Sequence, residues 1–106
     1  VENLSAITET DRPWTRRSFT PLFLQGRDWL RAEFEKAGLR VHVDAAGNMI
    51  GRRDGADARL GVIMVGSHSD SVPRGGRFDG IAGVLAGLEL ARSFHDAGRT
   101  LRHGLE

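Results

Sequence analysis

Three side chains able to hold a cation lie between Gly66 and Gly80: His68, Asp70 and Asp79. An imidazole nitrogen and carboxylate oxygens are donors that a divalent ion such as Zn²⁺ or Mn²⁺ accepts. His68 directly follows an apolar run, so its ring would leave the end of a strand on a well-fixed backbone. Residues two apart in an extended segment point the same way, which would set Asp70 beside that ring. A carboxylate there would fix the tautomer and raise the basicity of the imidazole. Asp79 stands just ahead of a helical pattern, where its carboxylate would serve an ion or bond the first amides of the helix. Each residue also has a plainer reading. A histidine after a strand is commonly a hydrogen-bonded surface group, Asp79 a helix cap, and Asp70 a turn residue. The three carry information only together. A phosphate cradle is a further option for a glycine-rich loop. The Gly-x-x-x-x-Gly-Lys-Ser/Thr pattern is absent, however, and the single lysine is Lys36, far from the loop.

The elements that must position these groups are legible in the surrounding pattern. Thr20 and Pro21 read as a helix cap and a first helical position. Leu22, Gly26, Trp29, Leu30, Phe34 and Ala37 then fall along one face, and Gly38 supplies a stop. Leu39, Val41 and Val43 alternate with Arg40, His42 and Asp44, the period of a half-buried strand. A turn at residues 45–48 and a short strand from Met49 suggest a hairpin. The continuous apolar run 60–65 fits a strand buried on both faces. The loop 66–80 follows it, at the end of the strand where open α/β sheets bind ligands. Ile81, Val84, Leu85, Leu88 and Ala91 recur at helical spacing up to a stop at Gly98, and residues 100–106 approach another strand. Residues 1–19 are expected to be loosely structured, with Leu4, Ile7, Trp14 and Phe19 free to dock on a core. The expected class is α/β, with part of a mixed sheet flanked by helices.

Composition bounds the alternatives. A chain of 106 residues suffices for one small domain that buries about two-thirds of its unfolded surface. Forty per cent hydrophobic and 27% charged residues are ordinary for a globular protein. A net charge of +1 gives no global field towards nucleic acid or membrane. With no cysteine, disulfides, thiolate metal sites and cysteine nucleophiles are excluded. Neither a signal-peptide pattern nor a spanning apolar stretch is present, so a soluble cytoplasmic protein is expected.

The loop spelling resembles that of the M20 family of metallopeptidases and amidohydrolases. It is most similar to the hydantoinase/carbamoylase-type branch, which includes N-carbamoyl-L-amino acid hydrolases, allantoate amidohydrolases and β-ureidopropionases. The segment 66–73 (Gly-Ser-His-Ser-Asp-Ser-Val-Pro), Gly75-Gly76-x-x-Asp79-Gly80 and the run 83–89 carry the resemblance. The turn 44–48, Gly51-Arg52, the segment 27–30 and Ala37-Gly38-Leu39 extend it over nearly all of the chain from the first long helix onward.

The resemblance implies the amino-terminal portion of a zinc-peptidase-like catalytic domain, incomplete over residues 20–106. It implies that His68 binds one metal ion, that Asp79 bridges two, and that Asp70 orients the His68 side. The ions would be Zn²⁺, or Mn²⁺, Co²⁺ or Ni²⁺. Gly75 and Gly76 would let the loop bring Asp79 back to His68, and the Asp79–Gly80 peptide would be cis. The implied reaction is metal-assisted hydrolysis of an amide or ureido C–N bond, with a glutamate as proton acceptor. Substrates would be N-carbamoyl amino acids or related ureido compounds, and the full-length protein a homodimer. The resemblance puts that glutamate and the remaining ligands beyond Glu106, so the chain alone is expected to be inactive. The alternatives are an aminoacylase or dipeptidase of the same family, or an inactive remnant acting as an interaction module.

Overall fold

A computed structural model describes residues 1–106. In chain order its elements are α1 (Glu2–Ser5), α2 (Pro21–Lys36), β1 (Arg40–Val43), β2 (Met49–Arg52), β3 (Val62–Ile63), α3 (Ile81–Asp96) and β4 (Gly104–Leu105). The second helix begins where the cap chemistry places it. Thr20 Oγ1 accepts the Phe23 amide at 3.2 Å and Pro21 fills the first turn. It ends as Gly38 turns left-handed at φ +77°.

The hairpin expected after α2 is present. β1 and β2 pair antiparallel, with Val41 opposite Gly51 and Val43 opposite Met49. Asp44 closes the turn: its Oδ1 accepts the Ala46 and Asn48 amides, and its Oδ2 accepts the Asn48 side chain at 3.0 Å. The Asn48 amides hold the Asp44 carboxyl below the usual carboxylate range. β3 and β4 form a second, parallel pair with Val62 opposite Gly104. An antiparallel bridge between Arg53 and Leu105 joins the two pairs, so parallel and antiparallel pairing meet at β4.

The apolar run 60–65 departs from its expected form. Only Val62 and Ile63 are strand, and Ile63, Met64 and Val65 are 45%, 71% and 41% exposed. Within these 106 residues the run has one strand neighbour, β4. Its apolar character therefore exceeds what the surrounding chain covers.

The core lies between α2, α3 and the hairpin. One cluster joins Ala37, Leu39, Leu88, Ala91 and Leu105; a second joins Leu4, Leu30 and Ile81. Phe34 and Leu85 pack against both and connect them. Residues 1–19 are largely irregular, but they contribute the one-turn α1 and the buried Leu4, Thr15 and Arg16. No helix is long and apolar enough to cross a membrane.

Candidate metal-binding loop

His68 leaves β3 through a short extended stretch and stands half exposed at the edge of the sheet. Its Nδ1 lies 3.1 Å from Asp70 Oδ1 and 3.2 Å from the Asp70 carbonyl oxygen. Both neighbours are acceptors, so they favour the tautomer with the proton on Nδ1 and a lone pair on Nε2. Asp79 Oδ1 lies 4.0 Å from Nε2. The loop thus sets Asp70 beside His68, as their spacing suggested, and leaves Asp79 4.0 Å from the ring.

Two local features make the approach of Asp79 to His68 possible. Gly76 turns left-handed at φ +92° and sends the chain back, and Gly80 does the same at φ +67° ahead of α3. A β carbon on Gly80 would strike the His68 ring and carbonyl oxygen, so the ring packs where only glycine leaves room. The expected cis bond after Asp79 is not found: every peptide is trans. The left-handed Gly80 makes the reversal instead. Nor does Asp79 cap the helix with its side chain; α3 has no side-chain cap, and the Asp79 carbonyl accepts the Ile81 amide at 2.7 Å. Its carboxylate is left free for other work.

The segment 14–18 forms the wall behind the loop. Arg16 and Ser71 pair as an antiparallel bridge, with the Ser71 amide donating to the Arg16 carbonyl at 2.9 Å. Ser71 Oγ donates to the Trp14 carbonyl at 2.8 Å, and Thr15 Oγ1 accepts the Arg74 amide at 3.2 Å. The Arg16 side chain is buried. Its Nε and Nη2 donate to the Ser69 carbonyl at 3.1 and 2.8 Å, and its Nη1 donates to the carbonyls of Leu4 and Ile7 at 2.8 and 3.0 Å. Burial pulls the Arg16 pKa below its ordinary value, and the nearby Asp70 charge works against that. Ser18 Oγ donates to Asp70 Oδ2 at 2.8 Å. The Ser18 hydroxyl, and after it the His68 imidazole, hold the Asp70 carboxyl below the usual carboxylate range despite partial burial.

Sequence reading missed Thr15, Arg16, Ser18 and Ser71. Contacts across more than fifty residues leave no periodic mark, and the segment 1–19 has no regular apolar spacing to flag it.

The donor set matches a divalent cation in kind, since an imidazole nitrogen and a carboxylate oxygen lie 4.0 Å apart. It is incomplete in number. No group of three or more His, Asp or Glu side chains converges anywhere in the chain.

No protein-family model matches the chain. Individual proteins do. The chain is 44% identical over 106 residues to an N-carbamoyl-L-amino-acid amidohydrolase of Paenarthrobacter aurescens, covering all of this chain and 26% of that protein. A ureidoglycolate hydrolase of Oryza sativa subsp. japonica is 33% identical over 107 residues, again across the whole chain and 22% of that protein. In three dimensions, a hydantoinase/carbamoylase family amidase from Burkholderia ambifaria superposes with a TM-score of 0.92 at 44% identity. The match covers 98% of this chain and 26% of that one. The chain thus spans about a quarter of the length of the relatives it matches. Sequence and fold agree over that quarter, and the chain is homologous to the hydantoinase/carbamoylase family of amidases.

Proposed function

We propose that these residues form the amino-terminal part of a binuclear, metal-dependent amidohydrolase that cleaves the C–N bond of N-carbamoyl amino acids or related ureido compounds. The observation that carries this reading is the His68–Asp79 pair, with Asp70 fixing the ring from behind. In this reading His68, through Nε2, and Asp79, through its carboxylate, would be the residues of this chain that hold the ions. A pair of divalent cations (Zn²⁺, or Mn²⁺, Co²⁺ or Ni²⁺) supplies Lewis-acid polarisation of a carbonyl and a water of lowered pKa. The part of this chain is to bind and orient. Asp70 keeps the His68 proton on Nδ1, and Gly80 leaves room for the ring. Asp79 and His68 stay about half exposed, open to whatever completes the site.

The proton acceptor and further ligands belong to the rest of such an enzyme, so residues 1–106 by themselves are inactive under this reading. The protein would be cytoplasmic and the complete enzyme a homodimer. The Paenarthrobacter aurescens relative matches along the whole of this chain, which provides the test. A chimera of that enzyme carrying residues 1–106 in place of its matching quarter hydrolyses an N-carbamoyl-L-amino acid when supplied with Zn²⁺ or Mn²⁺. A folded, metal-supplied chimera without activity contradicts the proposal, as does hydrolysis by the 106-residue chain alone.

A further inference from the structure

Arg16 is a buried cation without a carboxylate in contact. Four of its donated bonds end on three backbone carbonyls, two of them on Ser69, the residue between His68 and Asp70. Burying a guanidinium is unfavourable unless its donors are satisfied, and this arrangement satisfies them on the backbone of the loop. A β carbon on Gly26 would fall 2.8 Å from Arg16 Cδ, so α2 also leaves space for this side chain. Two residues on, Ser18 donates to Asp70 Oδ2, the oxygen that does not face His68. Phe19, directly after it, holds a left-handed φ of +61° and is almost wholly exposed. A bulky residue in that region is strained, and its own side chain gains no burial in return. The turn that it permits delivers Ser18 to Asp70 and Thr20 to the start of α2.

We infer that Arg16 and Ser18 are positioning residues for His68: Arg16 fixes the Ser69 peptide, and Ser18 fixes the Asp70 carboxylate that orients the imidazole. The segment before α2 is then a working part of the metal loop. Neither residue touches a reacting atom; both act through Asp70 and the backbone beside it. The inference rests on the reading of His68 Nε2 as a metal donor, because only then does the ring's tautomer matter.

The test is the His68 tautomer, read from the ¹⁵N shifts of its two ring nitrogens in the 106-residue chain. The spectra are recorded at about pH 8.5, on the alkaline side of the ordinary histidine value. In the unaltered chain one His68 tautomer, protonated on Nδ1, is expected. Ser18→Ala moves the two nitrogen shifts towards each other as the other tautomer becomes populated, and Ser18→Thr, which keeps the hydroxyl, restores them. Arg16→Lys produces the same drift through a loosened Ser69 peptide. A merely structural role would alter stability and leave the tautomer as it was. Ser18→Ala with a native amide spectrum and an unchanged Nδ1–H tautomer overturns the inference, whether or not Arg16→Lys folds. A His68 protonated on Nε2 in the unaltered chain is a different failure: it removes the metal-donor reading itself.

Discussion

Gly80 and His68 are packed so closely that the glycine hydrogen is the largest group the imidazole tolerates. Gly80 also holds φ +67°, a region unfavourable for any residue with a β carbon. Gly80→Ala therefore meets two penalties at once, a steric one and a backbone one. It is expected to destabilise the chain by about 2–3 kcal/mol and to displace the His68 ring. Urea unfolding checks the first effect, and the His68 ring signals check the second.

Arg16→Met keeps much of the side-chain volume while removing every donor. The carbonyls of Leu4, Ile7 and Ser69 then lose their guanidinium partner in a poorly hydrated place. A loss of about 2–4 kcal/mol follows, since each buried unsatisfied acceptor costs roughly 1–3 kcal/mol and water relieves part of it. The midpoint of urea unfolding measures this. An unchanged midpoint would mean that the segment 1–19 is not anchored to the loop.

Glu33 links the two long helices. Its Oε1 accepts from Lys36 Nζ at 2.7 Å, and its Oε2 accepts from Arg92 Nη2 at 3.0 Å. The hydrogen bond from Lys36, and then the Arg92 guanidinium, hold the Glu33 carboxyl below its ordinary value. A group whose folded pKa lies below its unfolded one stabilises the fold above the unfolded value, about 4.3 for a glutamate. That stabilisation disappears as the pH falls through the lower, folded value. Glu33→Gln is thus expected to cost about 0.5–1 kcal/mol near neutrality and clearly less at about pH 3. Parallel urea titrations at the two pH values decide it.

The fold was legible where short-range patterns act. The Thr20–Pro21 start and the Gly38 stop of α2 follow from cap chemistry, and the hairpin follows from alternation and the Asp44–Asn48 turn. His68, Asp70 and Asp79 were legible because they crowd into one loop of a distinctive spelling. The apolar run 60–65 misled, because apolar character records what a segment can bury and not what covers it within these residues. Arg16 and Ser18 stayed hidden because their partners, Ser69 and Asp70, lie more than fifty residues away. Their chemistry appears only once α2 has folded against Arg16.

The pairing of His68 and Asp79 around shared ions is tested most directly by the metal content of the chimera described above, measured after gel filtration in metal-free buffer. With residues 1–106 unaltered, two ions per site are expected. Asp79→Ala, which removes the proposed bridge, should lose most of both, and His68→Ala should lose one. In each case kcat/KM should fall by about a hundredfold or more, with Asp70→Ala losing about 10–100-fold through the misoriented ring. Full metal content and undiminished kcat/KM in folded His68→Ala and Asp79→Ala chimeras would contradict the account.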